Sequence, residues 1–111
     1  MMRIRRKKPD FETLTEEIIK QLRTIFDPEI PVNIYDLGLI YDIEIHNYHV
    51  HIQMTLTSPG CPVAQTFPRA VENSIKQVKN VRDCIVELVW DPPWSQERMT
   101  EATRLELGLF Y

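Results

Sequence analysis

Apolar residues recur along this chain in two periods, and the switches between them mark out its elements. From about Thr13 to Phe26, Leu14, Ile18, Leu22 and Ile25 fall three or four residues apart, with Ile19 and Phe26 beside them, as on one stripe of a helix. Thr13 and Glu16 have capping-box spacing, and Asp27-Pro28 predicts the stop, because proline disfavours helical backbone in the residue before it. Over Leu39–His46 the period drops to two: Leu39, Tyr41, Ile43 and Ile45 share one side, Asp42, Glu44 and His46 the other. His46-Asn47-Tyr48-His49 reads as a hairpin turn into a second strand, Val50–Thr57, with Val50, Ile52, Met54 and Leu56 inward. Each strand has one apolar and one wet face.

Helical spacing returns over about Val63–Val78, where Phe67, Ala70, Val71, Ser74, Ile75 and Val78 form a stripe. Pro62 suits a first helical position. Pro68 would cost about 3 kcal/mol in a helix interior, so either the first turn is irregular or the regular helix starts near Thr66. Asn80 marks its end, and Arg82–Trp90 alternates again with Cys84, Val86, Leu88 and Trp90 on one face. Trp90-Asp91-Pro92-Pro93-Trp94 breaks that strand. Ser95 is the expected N-cap of a last helix through Met99, Ala102 and Leu105, closing at Gly108. The order predicts an α+β fold: a single αββαβα domain with a three-stranded sheet and helices packed on one face.

Composition narrows the classes. The 111 residues are 43% hydrophobic and 26% charged, an ordinary globular balance for one domain. Arg3, Arg5, Arg6, Lys7 and Lys8 hold five of thirteen basic residues, leaving eight against sixteen acidic ones. Residues 1–11 therefore read as a basic, solvated tail and residues 12–111 as an acidic domain. With neither a basic groove nor a GXXG loop, no nucleic acid partner is expected. No apolar run nears the roughly 20 residues of a membrane span, and the basic start precedes no apolar leader core. The expected setting is the cytoplasm, with both cysteines as free thiols.

Candidate chemistry centres on Cys61, in Thr57-Ser58-Pro59-Gly60-Cys61-Pro62 between the second strand and the second helix. A thiol at such a turn faces outward-pointing backbone N–H groups that favour thiolate. Cys84, mid-strand on an apolar face, reads as core packing. A lone exposed cysteine completes neither a zinc site nor an iron–sulfur site, which take about four ligands. His46, His49 and His51 are spaced so that they do not converge, and they read as surface residues. Asp27, Glu29 and Asp36 are candidate base, ligand or orienting groups, or else turn formers. Because hairpin strands put the start of the first and the end of the second together, Asp36 is expected near Cys61. Trp90, Trp94, Phe110 and Tyr111 read as core or an oligomer contact.

Three stretches resemble a known family. Residues 27–41, Asp27-Pro28-Glu29-Ile30-Pro31-Val32-Asn33-Ile34-Tyr35-Asp36-Leu37-Gly38-Leu39-Ile40-Tyr41, are similar to the opening signature of the SufT and PaaD-like metal–sulfur cluster biosynthesis domains. Thr57–Pro62 resembles that family's cysteine-proline turn, and Trp90–Trp94 with Met99-Thr100-Glu101-Ala102 and Leu107-Gly108 its C-terminal signature. The resemblance spans about Glu12 to Leu109, and the sequence ends at Tyr111 without the cysteine-rich segment of the PaaD branch. It implies an iron–sulfur assembly or maturation factor, a carrier or targeting adaptor and not an enzyme. Cys61 would be the key thiol and metal ligand, with Asp27, Asp36, Thr57 and Pro62 supporting it. A transient cluster bridged between two chains would be the cargo, and an assembly scaffold or client apoproteins the partners. Two other readings stand beside it: an interaction adaptor in which Cys61 is structural, and a thiol enzyme using Asp36 or His51 as base.

Overall fold

The computed structural model describes residues 11–57 and 66–108. Its elements run α1 (Phe11–Leu22), β1 (Ile40–His46), β2 (His49–Met54), α2 (Phe67–Ile75), β3 (Asp83–Leu88), a 3₁₀ turn (Gln96–Arg98) and α3 (Glu101–Glu106). The strands form one sheet in the order β1-β2-β3. β1 and β2 pair antiparallel, with Ile43 opposite Ile52, and β3 runs parallel to β2, with Val86 opposite Ile52. This is the α+β architecture the residue pattern predicts.

Side chains on one sheet face build the core. Val50, Ile52 and Met54 from β2 and Cys84 and Val86 from β3 are buried with Leu14, Ile18 and Leu22 of α1 and Val71 and Ile75 of α2. The opposite face carries polar side chains to solvent, the alternation expected of a half-buried sheet. The hairpin turn is Asn47-Tyr48, both left-handed at φ 52° and 68°. Two positive-φ central residues are the two-residue turn whose twist matches paired strands.

Several boundaries differ from the sequence expectation, each for a local reason. α1 begins at Phe11, which places Thr13 inside the helix and removes the capping box. It ends at Leu22, not Phe26: Phe26 is 58% exposed and bridges Asn33 in extended backbone. α2 starts at Phe67 with Thr66 as N-cap, so Pro68 lies in the first turn, where its missing N–H costs no helical bond. Asn80, at φ 79°, lies in the turn before β3, past the end of α2. β1 starts at Ile40, and its register shifts between Ile40 and Asp42. Ser95 heads only the 3₁₀ turn and makes no side-chain cap bond. The N-cap of α3 is Thr100, whose hydroxyl oxygen accepts from the Thr103 N–H at 3.2 Å.

One loop holds the C-terminal segment. The Trp94 indole N–H donates to the Leu37 carbonyl at 2.7 Å, and the Thr100 N–H donates to the Asp36 carbonyl at 3.1 Å. The Tyr41 hydroxyl donates to the Pro92 carbonyl at 2.8 Å, and the Arg98 guanidinium lies 4.5 Å from the Tyr41 ring centre. Between them Gly38, at φ 81°, lies against Arg98 so closely that a Cβ would overlap its backbone carbonyl. Only glycine meets both demands. We expect Gly38→Ala to lower unfolding free energy by about 2–4 kcal/mol, from left-handed strain plus overpacking against backbone. Urea denaturation checks this, and an unchanged midpoint would refute the close approach.

Candidate functional site

The topology brings the first and third sequence motifs, and Thr57 at the start of the second, to one end of the sheet. β1 starts where β2 ends, with Ile40 opposite Met54, and the Thr55 N–H donates to the Leu39 carbonyl at 2.9 Å. Because β3 runs parallel to β2, it leaves the sheet at that same end, and the Val89 N–H donates to the Met54 carbonyl at 2.8 Å. The acidic loop, the chain leading to Cys61 and the tryptophan-proline segment therefore share one edge. The turn holding Cys61 and Pro62 lies outside the described residues, as do Phe110 and Tyr111. Thr57 is the last described position before that turn.

The acidic loop is folded by its own polar side chains. Asp27 is buried, and its Oδ2 accepts from the N–H groups of Glu29 and Ile30 at 2.8 and 2.7 Å. A carboxylate bonding backbone two and three residues on is what sets such a turn. Asn33 and Asp36 are paired reciprocally: the Asp36 N–H donates to Asn33 Oδ1 at 2.8 Å, and Asn33 Nδ2 donates to Asp36 Oδ2 at 2.9 Å. Arg23 reaches Asp36 Oδ1 at 3.4 Å while its guanidinium lies 5.0 Å from the Tyr35 ring centre. Both aspartates thus serve the loop's architecture, the turn-forming role open to them from sequence.

Glu29 is the acid of the loop that reaches Thr57. The Thr57 hydroxyl donates to its Oε1 at 3.5 Å, across the gap between loop and strand end. Two residues earlier Thr55 is fully buried, and its hydroxyl has no partner among the described residues. Trp94 was expected to be packing, and its donated bond to Leu37 makes it a positioning group as well. A signal for this existed, since a half-buried indole N–H requires an acceptor. Trp90, by contrast, is exposed. Beside the docked segment an open cleft of about 540 Å³ is lined by Gly38, Ile40, Tyr41, Pro92, Glu97 and Arg98.

The histidines stand on the sheet's outer face, away from this end, and do not converge. His49 Nδ1 lies 2.8 Å from Asp83, and His51 lies between Glu87 at 3.1 Å and Glu44 at 3.6 Å. Among the described residues, no group of three or more histidine, cysteine or acidic side chains could hold a metal ion. None of their helices is long and apolar enough to cross a membrane.

Cys84 fills the core role expected of it. It is a free thiol, 3% exposed, and burial, followed by the negative charge of Glu72, pushes its pKa from 9.0 up to about 12. The folded state therefore keeps a proton that the unfolded state releases first. Its contribution to stability is complete below about pH 9 and is lost as pH rises towards 12. We expect denaturant unfolding of the wild type to weaken over that window more steeply than that of Cys84→Ala; equal slopes would contradict the assignment.

Comparison with known proteins agrees with this geometry. The family model described as iron–sulfur cluster assembly protein matches residues 15–88. An Fe-S protein maturation auxiliary factor of Porphyromonas gingivalis is 42% identical over 89% of this chain and 95% of its own. The Fe-S protein maturation auxiliary factor SufT of Staphylococcus aureus is 33% identical over 77% of this chain and 98% of its own. The crystal structure of a domain of unknown function from Bacillus anthracis superposes with a TM-score of 0.80 at 37% identity, covering 89% of this chain and 95% of that one.

Proposed function

The chain belongs to the iron–sulfur cluster assembly protein family, and on that premise we propose that it matures iron–sulfur proteins as a carrier or targeting adaptor through the Cys61 thiolate. The observation that supports this reading is that the acidic loop, Thr57 and the tryptophan-proline segment meet at one end of the sheet. In this reading Glu29 and Thr57 flank the approach to the thiol, while Asp27 and Asp36 support it by shaping the loop. Pro62 follows Cys61 directly in the sequence.

Cargo follows from ligand arithmetic. An iron–sulfur cluster takes about four ligands, and this chain's other cysteine is buried in the core. A cluster held by Cys61 would draw its remaining ligands from a second copy of the chain, from small thiols or from the recipient. A site short of ligands binds weakly enough to release, which suits hand-over to a scaffold or client apoprotein in a reducing cytoplasm. No proton transfer or bond cleavage is required of the chain, so the role is not catalytic.

Anaerobic reconstitution of the full chain with ferrous iron and sulfide tests carriage. The wild type should develop a visible chromophore, and Cys61→Ser should lose most of it. Equal chromophores would overturn Cys61 as ligand. A silent wild type would remove carriage, and if Cys61→Ser also supported client maturation in cells, the interaction adaptor with a structural Cys61 would replace the thiol reading.

A further inference from the structure

We propose that the open face of the sheet is the docking surface for this chain's own N-terminal segment, residues 1–10. This surface lies on the other side of the sheet from the core and does not depend on the iron–sulfur reading.

The case begins with where charge lies. The three strands contain no lysine or arginine. Their outward positions carry Asp42 and Glu44 on β1 and Asp83 and Glu87 on β3, with His46, His49 and His51 and no fixed cation among them. Elsewhere three acids have cationic partners within reach: Glu17 with Lys20, Asp36 with Arg23 and Glu72 with Arg69. On the sheet face, among the described residues, the carboxylates pair with imidazoles, as in His49–Asp83 and His51–Glu87, and none pairs with a lysine or arginine. Glu87 also accepts from the Gln53 amide at 3.5 Å. In the middle of this polar face Ile85 is 60% exposed, paired across the sheet with His51.

The N-terminal segment carries the matching chemistry. Arg3, Arg5, Arg6, Lys7 and Lys8 supply five positive charges, and Met2 and Ile4 supply apolar side chains suited to Ile85. The segment joins α1 at Phe11, whose apolar stripe packs on the sheet's core side. Ten extended residues reach about 33 Å, and a helix is about 10–12 Å across, so the segment is long enough to round the sheet and lie on its far face. Several cations meeting several carboxylates at a surface attract cooperatively at low salt and are screened as salt rises.

Amide NMR spectra of the full chain test the assignment, by comparing the wild type with a variant carrying glutamine at positions 3, 5, 6, 7 and 8. At low salt the two should differ at amides of residues 42–46, 49–53 and 83–87, and the differences should collapse in 0.5 M NaCl. Glu44→Gln with Glu87→Gln should reduce the same differences in an otherwise unchanged spectrum. Coincident strand amides in both chains at low salt would overturn the proposal and leave the face free for a different partner. Differences that grow with protein concentration would overturn it too, placing the segment on a second copy.

Discussion

The bond from the Trp94 indole to the Leu37 carbonyl, 2.7 Å long, ties the two ends of this fold together. It forms because β3 runs parallel to β2 and so delivers the tryptophan-proline segment to the end of the sheet where β1 begins. With that segment in place, Arg98 can close on Gly38 and Thr100 can reach the Asp36 carbonyl. The loop thus held passes its order on: the Leu39 N–H bonds the Ile34 carbonyl at 3.2 Å, and the Leu39 carbonyl accepts from Thr55. Thr57, the last described residue before the cysteine turn, lies two residues beyond that fixed point. The order of this end of the sheet is therefore a property of contacts between residues some 60 positions apart in sequence.

Most of the fold was legible in the chain because its signals are local and redundant. Three alternating runs gave the strands, and Asn47-Tyr48 fell where the hairpin needs its turn. What misled was competition at element ends. Ile25 and Phe26 continue the helical stripe of α1, yet the backbone there is extended, paired through Phe26 and Asn33. Ser95 has good N-cap chemistry, but Thr100 has it too, and only Thr100 lies where the Asp36 carbonyl can receive its N–H. Such choices are settled by tertiary partners that no local window contains.

The site was legible in outline and not in its roles. Hairpin geometry predicts Asp36 near Cys61, a pair whose cysteine lies outside the described residues, and the structure shows Leu39 bonded to Thr55 at that end of the sheet. The geometry of the hairpin does not distinguish Glu29, which reaches Thr57, from Asp27 and Asp36, which bond their own loop. All three acids fall within ten residues, and the difference lies in backbone direction at each. The fates of the cysteines were separable from pattern alone: Cys84 sits at an inward strand position, and its burial and raised pKa make it inert at neutral pH. The proposed thiol chemistry therefore falls to Cys61, in the turn that follows Thr57 in the sequence.

The central claim is that docking of the tryptophan segment orders the strand end next to the cysteine turn. Native-state amide hydrogen exchange on Trp94→Phe tests it most directly, since phenylalanine keeps an aromatic ring but removes the N–H donor. Exchange should quicken about 2- to 10-fold at Leu37, Leu39, Thr55 and Thr100, the scale of one lost hydrogen bond, while the hairpin amides of Ile43 and Ile52 hold their rates. Faster exchange confined to residues around position 94, or spread evenly through the sheet, would contradict the account.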